Sequence, residues 1–294
     1  MPAAPRFGPR DLLVALAINL VWGLNIVAVK LTVELVAPFT AALLRQAIVL
    51  VVCLPWLTIV PGRMRTIVAL GLVTGGGFFA LVNLSMAVTD NVAALAIAGQ
   101  LGAPFSLILA IVFLRERIGV PRLAGMALSI GGCALLVFDP AVANEIPGLL
   151  LTVLASMLWA VSSLLQRKLV GVGVPTMYGW IGLGGVVVLG PLALVFEWPT
   201  MTGAVPIPLQ AFGWITLSAL GSTLIGSGGV AWLLQRHPVS TVIPMTLGTP
   251  VISVFASALV FGNALTPVML MGGAVALAGV IIVTTRTATK ETPR

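Results

Sequence analysis

DLLVALAINLVWGLNIVAVK, residues 11–30, carries no charge from Leu12 to Val29 and is apolar throughout except for Asn19, Trp22 and Asn25. Crossing about 30 Å of hydrocarbon takes roughly 20 such residues at 1.5 Å each, so the stretch reads as a transmembrane helix. It follows Arg6 and Arg10 as the core of a signal peptide would. Its apolar run is too long for that role and no small-residue cleavage site follows, so it reads as an uncleaved first span. The rest of the chain repeats the theme: of 294 residues, 59% are hydrophobic and 8% charged, against about a quarter charged in soluble domains. Cutting at charges and Pro/Gly clusters gives ten apolar stretches, near 12–32, 38–60, 66–88, 92–114, 121–139, 147–168, 175–197, 209–234, 239–261 and 267–285. They fill the length, leaving no room for a second, soluble domain. The ten-residue alternation of a membrane β-barrel is absent, and helices satisfy the backbone internally in lipid. The fold class is therefore all-α integral membrane.

The charges set an orientation. With the N-terminus in the cytoplasm, Arg6, Arg10, Arg63, Arg65, Arg115, Arg117, Arg122, Arg167, Lys168, Arg236, Arg286, Lys290 and Arg294 lie inside, and of the 15 basic residues only Lys30 and Arg45 do not. Glu34, Asp90, Asp139, Glu145 and Glu197 fall outside. This segregation obeys the positive-inside rule and holds only for an even number of spans, which places both termini in the cytoplasm. The net charge of +7 then reflects topology and anionic headgroups, not nucleic acid as a partner. Cys53 and Cys133 sit inside spans and read as small apolar fillers, without metal or disulfide spacing.

The opening stretch also recurs. VWGLNIVAVK at 21–30 resembles LWAVSSLLQR at 158–167, pairing Trp22 with Trp159 and Asn25 with Ser162; at the same offset of 137, Pro38 meets Pro175. Further on Pro104 meets Pro250 and Pro121 meets Pro267, both 146 apart, the extra nine residues fitting a longer loop near 198–208. The chain thus divides into two five-helix repeats, 1–141 and 142–294. Because five is odd, the halves stand in opposite orientations, and inverted repeats are the build of transporters that give one site alternating access to two sides.

The WGLN segment with Lys30, Pro38 followed by Arg45, Pro104 leading into VFLRERIGVPRLAGMALSIGGCALLV, and a weaker second copy ending AVALAGVIIV resemble the ten-helix, EamA-like exporters of the drug/metabolite transporter superfamily, over nearly the whole chain. The resemblance is nearest to the subgroup that exports amino acids, aromatic ones included, from bacteria. It implies a central cavity lined by the first, third and fourth helices and their mates. Two departures stand out: Glu116 has Gly262 as its mate, and Arg45 has Gly182.

Polar groups within spans are costly and should face one another or a wet cavity. The candidate substrate-binding residues are Asn19, Trp22, Asn25, Phe79, Asn83 and Gln100 from the first half, and Ser156, Trp159, Ser163 and Thr246 from the second, with Ser222, Ser227 and Thr249 beside them. Asn19, Trp22 and Ile26 share a helix face, as do their mates Ser156, Trp159 and Ser163. The plainer reading of each hydroxyl is a bond to its own i−4 carbonyl, and of each tryptophan a core filler. Pro104, Pro244 and Pro250 are expected to kink or interrupt helices, and Gln100, one turn before Pro104, lies where freed carbonyls await a ligand. Arg45 is a possible carboxylate contact; its plainer readings are snorkelling or a pair with Glu34. His237, beside Arg236 and Pro238 in a turn, is a poor proton relay.

All eight acidic residues fall at helix ends or in loops, so no carboxylate is placed to trade a proton for a cationic drug. Nor is there a metal cluster, a paired carboxylate or a nucleophile with a histidine base, so neither an enzyme nor a bound cofactor is expected. The expectation is a monomeric inner-membrane exporter of amino acids and related small metabolites, working by alternating access and uncoupled facilitated diffusion. The alternatives are a transporter of nucleotide sugars or other small anions, which should show more cavity cations than Arg45, and a non-transporting scaffold or channel.

Overall fold

The computed structural model describes residues 8–114, 119–234, 242 and 245–288, and among these the only regular secondary structure is helix. Eight segments are long and apolar enough to cross a membrane: α1 Pro9–Leu35, α2 Pro38–Trp56, α3 Met64–Ala87, α4 Val92–Phe113, α5 Val120–Phe138, α6 Pro140–Arg167, α7 Val174–Phe196 and α8 Leu209–Val230. Two more apolar helices, α9 Gly248–Phe261 and α10 Pro267–Ala288, complete ten. Proline marks the starts: it stands in the first two positions of α2, α5 and α7, where its missing N–H has no intrahelical partner to lose. α9 stops at Gly262, whose φ of 66° is the left-handed cap that glycine adopts without penalty. That is why the mate of Glu116 is a glycine; Glu116 itself, with Arg236, His237 and Pro244, lies outside the described residues.

The lipid-facing side of a membrane helix is apolar, and its polar and small residues turn inward. α1 buries Ala15, Ile18, Asn19 and Gly23 and turns Leu12, Leu16, Leu20 and Leu24 outward, where in lipid they meet hydrocarbon.

The acidic residues among those described stay at helix ends and in loops, and three of them hold other helices in place. Glu197 accepts from the backbone N–H groups of Phe39 and Thr40 at 2.8 and 2.6 Å and from the Thr40 hydroxyl. Glu145 accepts from the Asp90 and Asn91 N–H groups, both at 3.1 Å. Asp139 accepts from the Thr266 hydroxyl just before α10. A carboxylate at a helix start satisfies orphan donors and complements the helix dipole.

The packing repeats between the two halves. α2 lies along α7 and α5 along α10, while α1 packs on α8 and α9 as its mate α6 packs on α3 and α4. Exchanging the two halves maps each contact onto another. The third helix of each repeat widens in mid-span to π-type turns, over Gly71–Phe78 in α3 and Leu217–Ser227 in α8. The fourth is interrupted in each. In α4 a 3₁₀ turn, Gly99–Leu101, precedes Gly102; before α9 a turn at Thr246 and Leu247 precedes Gly248. Pro104 and Pro250 each sit two residues into the helix that restarts. There they have no N–H to lend the irregular turn before them.

Glycines let helices touch backbone to backbone. A Cβ on Gly132 would strike Gly272 and Ala276, and one on Gly75 would strike Ile181 and Gly185. Gly182, the mate of Arg45, faces the backbone of Gln46 and Leu50 at 2.8–3.0 Å from an added Cβ. Backbone fills that position, which is why the second half carries no cation there.

Candidate functional site

Between α1, α3, α4, α6 and α9 lies a cavity of about 320 Å³, near the lower end of the roughly 300–1,000 Å³ usual for small-molecule sites. Trp22, Asn25, Gln100, Ser156 and Trp159 line it, so five of the ten sequence-predicted binding residues converge from both repeats, and Thr249 joins them. None of the described lining residues is charged.

Each polar group has a traceable position. The Trp22 indole N–H donates to the Ser222 carbonyl at 2.9 Å, and the Ser218 hydroxyl donates to the Asn25 amide oxygen at 2.6 Å, fastening α1 to the widened part of α8. Trp159 packs against Phe78, ring centroids 5.2 Å apart. Gln100 sits in the 3₁₀ turn of α4, its amide N–H reaching the Ala96 carbonyl at 3.4 Å, a long bond that leaves the amide available to a ligand. The Thr152 hydroxyl is buried without a partner and the Ser253 hydroxyl donates to the Gly23 carbonyl.

The other predicted residues stand elsewhere. Asn19 is buried behind the wall, donating to the Ala15 and Met245 carbonyls at 2.7 and 2.6 Å and accepting from the Thr249 hydroxyl at 3.2 Å; it locks α1 to the turn before α9. Phe79 and Asn83 lie one position round α3 from Phe78 and Val82, which do line the cavity. Asn83 donates to the Phe79 carbonyl. Ser163 takes the plain option, donating to the Trp159 carbonyl at 3.0 Å, and Thr246 lies in the turn before α9, off the cavity lining. Pro250 lines a smaller apolar cavity of about 200 Å³ among α4, α9 and α10, which shares Gln100 with the central one.

Arg45 is buried off the cavity with its guanidinium 4.5 Å from the centroid of Phe79, and its Nε has no hydrogen-bond partner. Glu34 pairs instead with Lys30 at 3.6 Å, and Lys30 donates to the Met86 and Thr89 carbonyls at 3.1 and 2.7 Å, tying the end of α1 to that of α3. Among the cavity residues not singled out from the sequence are the apolar Phe78, Val82 and Met86, for which the signal available was position on the face shared with their neighbours, and the hydroxyls of Thr152 and Ser253, of the type sought but passed over.

The EamA-like transporter family matches the chain twice, over residues 10–138 and 146–285. The chain belongs to that family. Among its relatives are the "Probable amino-acid metabolite efflux pump" of Escherichia coli (strain K12), 26% identical and covering 93% of this chain and 94% of that protein. An "Uncharacterized transporter" of Archaeoglobus fulgidus is 27% identical over 89% of this chain and 94% of its own length. A solved crystal structure with 17% identity superposes with a TM-score of 0.63 over 97% of this chain and 99% of the other, a likeness of fold. This EamA-like protein is thus a multi-pass membrane transporter with two copies of one helical unit.

Proposed function

We propose that this transporter exports neutral or zwitterionic amino acids and related small metabolites across the bacterial inner membrane, by alternating access of the central cavity. The observation that carries the reading is a small cavity rimmed by amides, hydroxyls and indoles from both repeats, without a charged side chain among its described residues. Amides and hydroxyls pair with both ends of a zwitterion, whereas a polyvalent anion left beside uncharged groups in a low dielectric is strongly disfavoured. The name given to the Escherichia coli relative points the same way. Both termini lie in the cytoplasm on this reading, from the segregation of basic residues. The unit is a monomer, and the described acids stand at helix ends, so transport runs down the solute gradient without proton exchange. The division into functional halves at residues 141 and 142 belongs to the same proposal.

The test is counterflow of a panel of labelled amino acids by the purified protein in proteoliposomes, with and without a pH gradient. Exchange that ignores the gradient is expected. A rate that follows the gradient refutes the uncoupled mechanism, preference for nucleotide sugars refutes the substrate class, and movement of no solute in the panel favours a scaffold or channel.

A further inference from the structure

The two repeats are equivalent in connectivity but not in their present hydrogen bonds. One pair of bonds is common to both: Asn25 to Ser218 at 2.6 Å joins α1 to the π-type stretch of α8, and Ser162, the mate of Asn25, joins α6 to that of α3 through Thr74 at 2.7 Å. Three residues earlier on α1 the symmetry fails. Trp22 donates to the Ser222 carbonyl within the π-type stretch of α8, seated where Gly226 has no side chain. Its mate Trp159 is 42% exposed, stands in the cavity against Phe78, and its indole nitrogen makes no hydrogen bond among the described residues. One turn earlier the same difference recurs. Asn19 is tied to Met245 and Thr249, whereas its mate Ser156 faces the cavity with no bond among the described residues. The Asn25 and Ser162 bonds are thus shared pivots, and the closure beyond them is formed on one side only.

We propose that Trp22 and Trp159 are alternating latches of the transport cycle. In the present conformation the Trp22 N–H holds α1 against α8 while Trp159 is released into the cavity. In the exchanged conformation Trp159 donates to a backbone carbonyl in Gly71–Phe78 of α3, while Trp22, which already borders the cavity, gives up its bond to Ser222 and leaves its indole N–H facing that space. The π-type stretches make this possible, because widened turns tilt carbonyls away from the helix axis and within reach of a side-chain donor. Each indole is satisfied in one state only, so each hydrogen bond biases the equilibrium between the two states. The proposal rests on the alternating-access reading of the function.

The test uses the full-length protein with Cys53 and Cys133 replaced by serine and one reporter, Gly99→Cys, at an exposed position of the cavity wall where an added side chain meets nothing within 4 Å. The quantity measured is the ratio of its modification rates by a membrane-impermeant maleimide applied from either face of sealed vesicles. Trp22→Phe keeps the ring and removes the donor; it is expected to shift the ratio by roughly three- to tenfold toward the exchanged state, the effect of losing one hydrogen bond. Trp159→Phe is expected to shift it by a similar factor the opposite way, and the double variant to return within about twofold of the parent. Gly226→Ala, which crowds the indole seat while leaving Trp22 intact, should move the ratio in the same direction as Trp22→Phe and serves if that variant does not fold. Shifts in a common direction, or none, overturn the latch. Opposed shifts in a protein that moves no tested amino acid keep the latch and overturn the substrate reading instead.

Discussion

Along α5 and α10 the chain meets itself backbone to backbone, with Gly132 against Gly272 and Ala276, and Gly279 against Gly125 and Ser129. Along the cavity wall the helices stand apart, kept at a distance by Trp22, Phe78 and Trp159, and interrupted or widened at Gly71–Phe78, Gly99–Leu101 and Leu217–Ser227. The first region has no room for an added atom at these glycines, and the Ser129 hydroxyl within it is fully buried with no space to turn toward a ligand. The second has unspent donors and irregular backbone with more than one way to pair. Rigidity and mobility in this transporter are thus set by how closely backbones approach, since lipid gives apolar side chains little reason to prefer one another.

The largest effect that would break this contrast is at Gly132. Gly132→Leu is expected to cost roughly 3 kcal/mol or more by overpacking, and to remove most folded protein in a detergent thermal-unfolding assay. Its neighbour makes the internal control. An added Cβ at Gly131 meets nothing within 4 Å, and Gly131→Leu should unfold at the parent's midpoint. Next comes Glu197→Ala, which strips the start of α2 of three acceptor contacts. A loss of about 2 kcal/mol is predicted from charge-assisted bonds, read as a lower midpoint, with Glu197→Gln recovering part of it. Gln100→Ala tests the mobile region: counterflow should fall by roughly tenfold, the cost of about one good hydrogen bond, while the midpoint moves little. Unchanged kinetics would take Gln100 out of the site. The smallest effect belongs to Leu20, on the lipid face of α1; Leu20→Ala should stay within about 0.5 kcal/mol and leave transport intact.

How much of this was legible in the sequence follows the same division. The ten spans could be read because charge is scarce enough that, Arg45 apart, charged residues mark helix ends and loops, and the repeat could be read because Trp22 and Trp159, or Pro104 and Pro250, keep their spacing. The interruptions of α4 and α9 follow from those prolines, since a missing N–H acts locally. The cavity wall was only half legible. Trp22, Asn25, Gln100, Ser156 and Trp159 were found by their polar atoms, but Phe79 and Asn83 were chosen by residue type where Phe78 and Val82 hold the facing positions. A π-type turn takes more than 3.6 residues, so the stretch ending at Phe78 rotates everything after it relative to an ideal helix. The glycines at 75 to 77 were the visible trace of that irregularity. Arg45 was read by charge alone, toward Glu34 or a substrate, while its place against Phe79 depends on how α2 and α3 pack.

The contact between α5 and α10 also governs how the protein is made. Gly125 and Gly132 are synthesised about 147 residues before Gly279 and Gly272, the partners they wait for. At roughly 5–20 residues per second that is an interval of about 7–30 seconds, during which the first five helices sit in the membrane with their closest-packing faces open. The same holds for α2, which waits for α7, and for α1, which waits for α8 and α9. Half of this protein therefore lacks the partners of its closest-packing faces, and the contact of α5 is completed only when the last helix is in place.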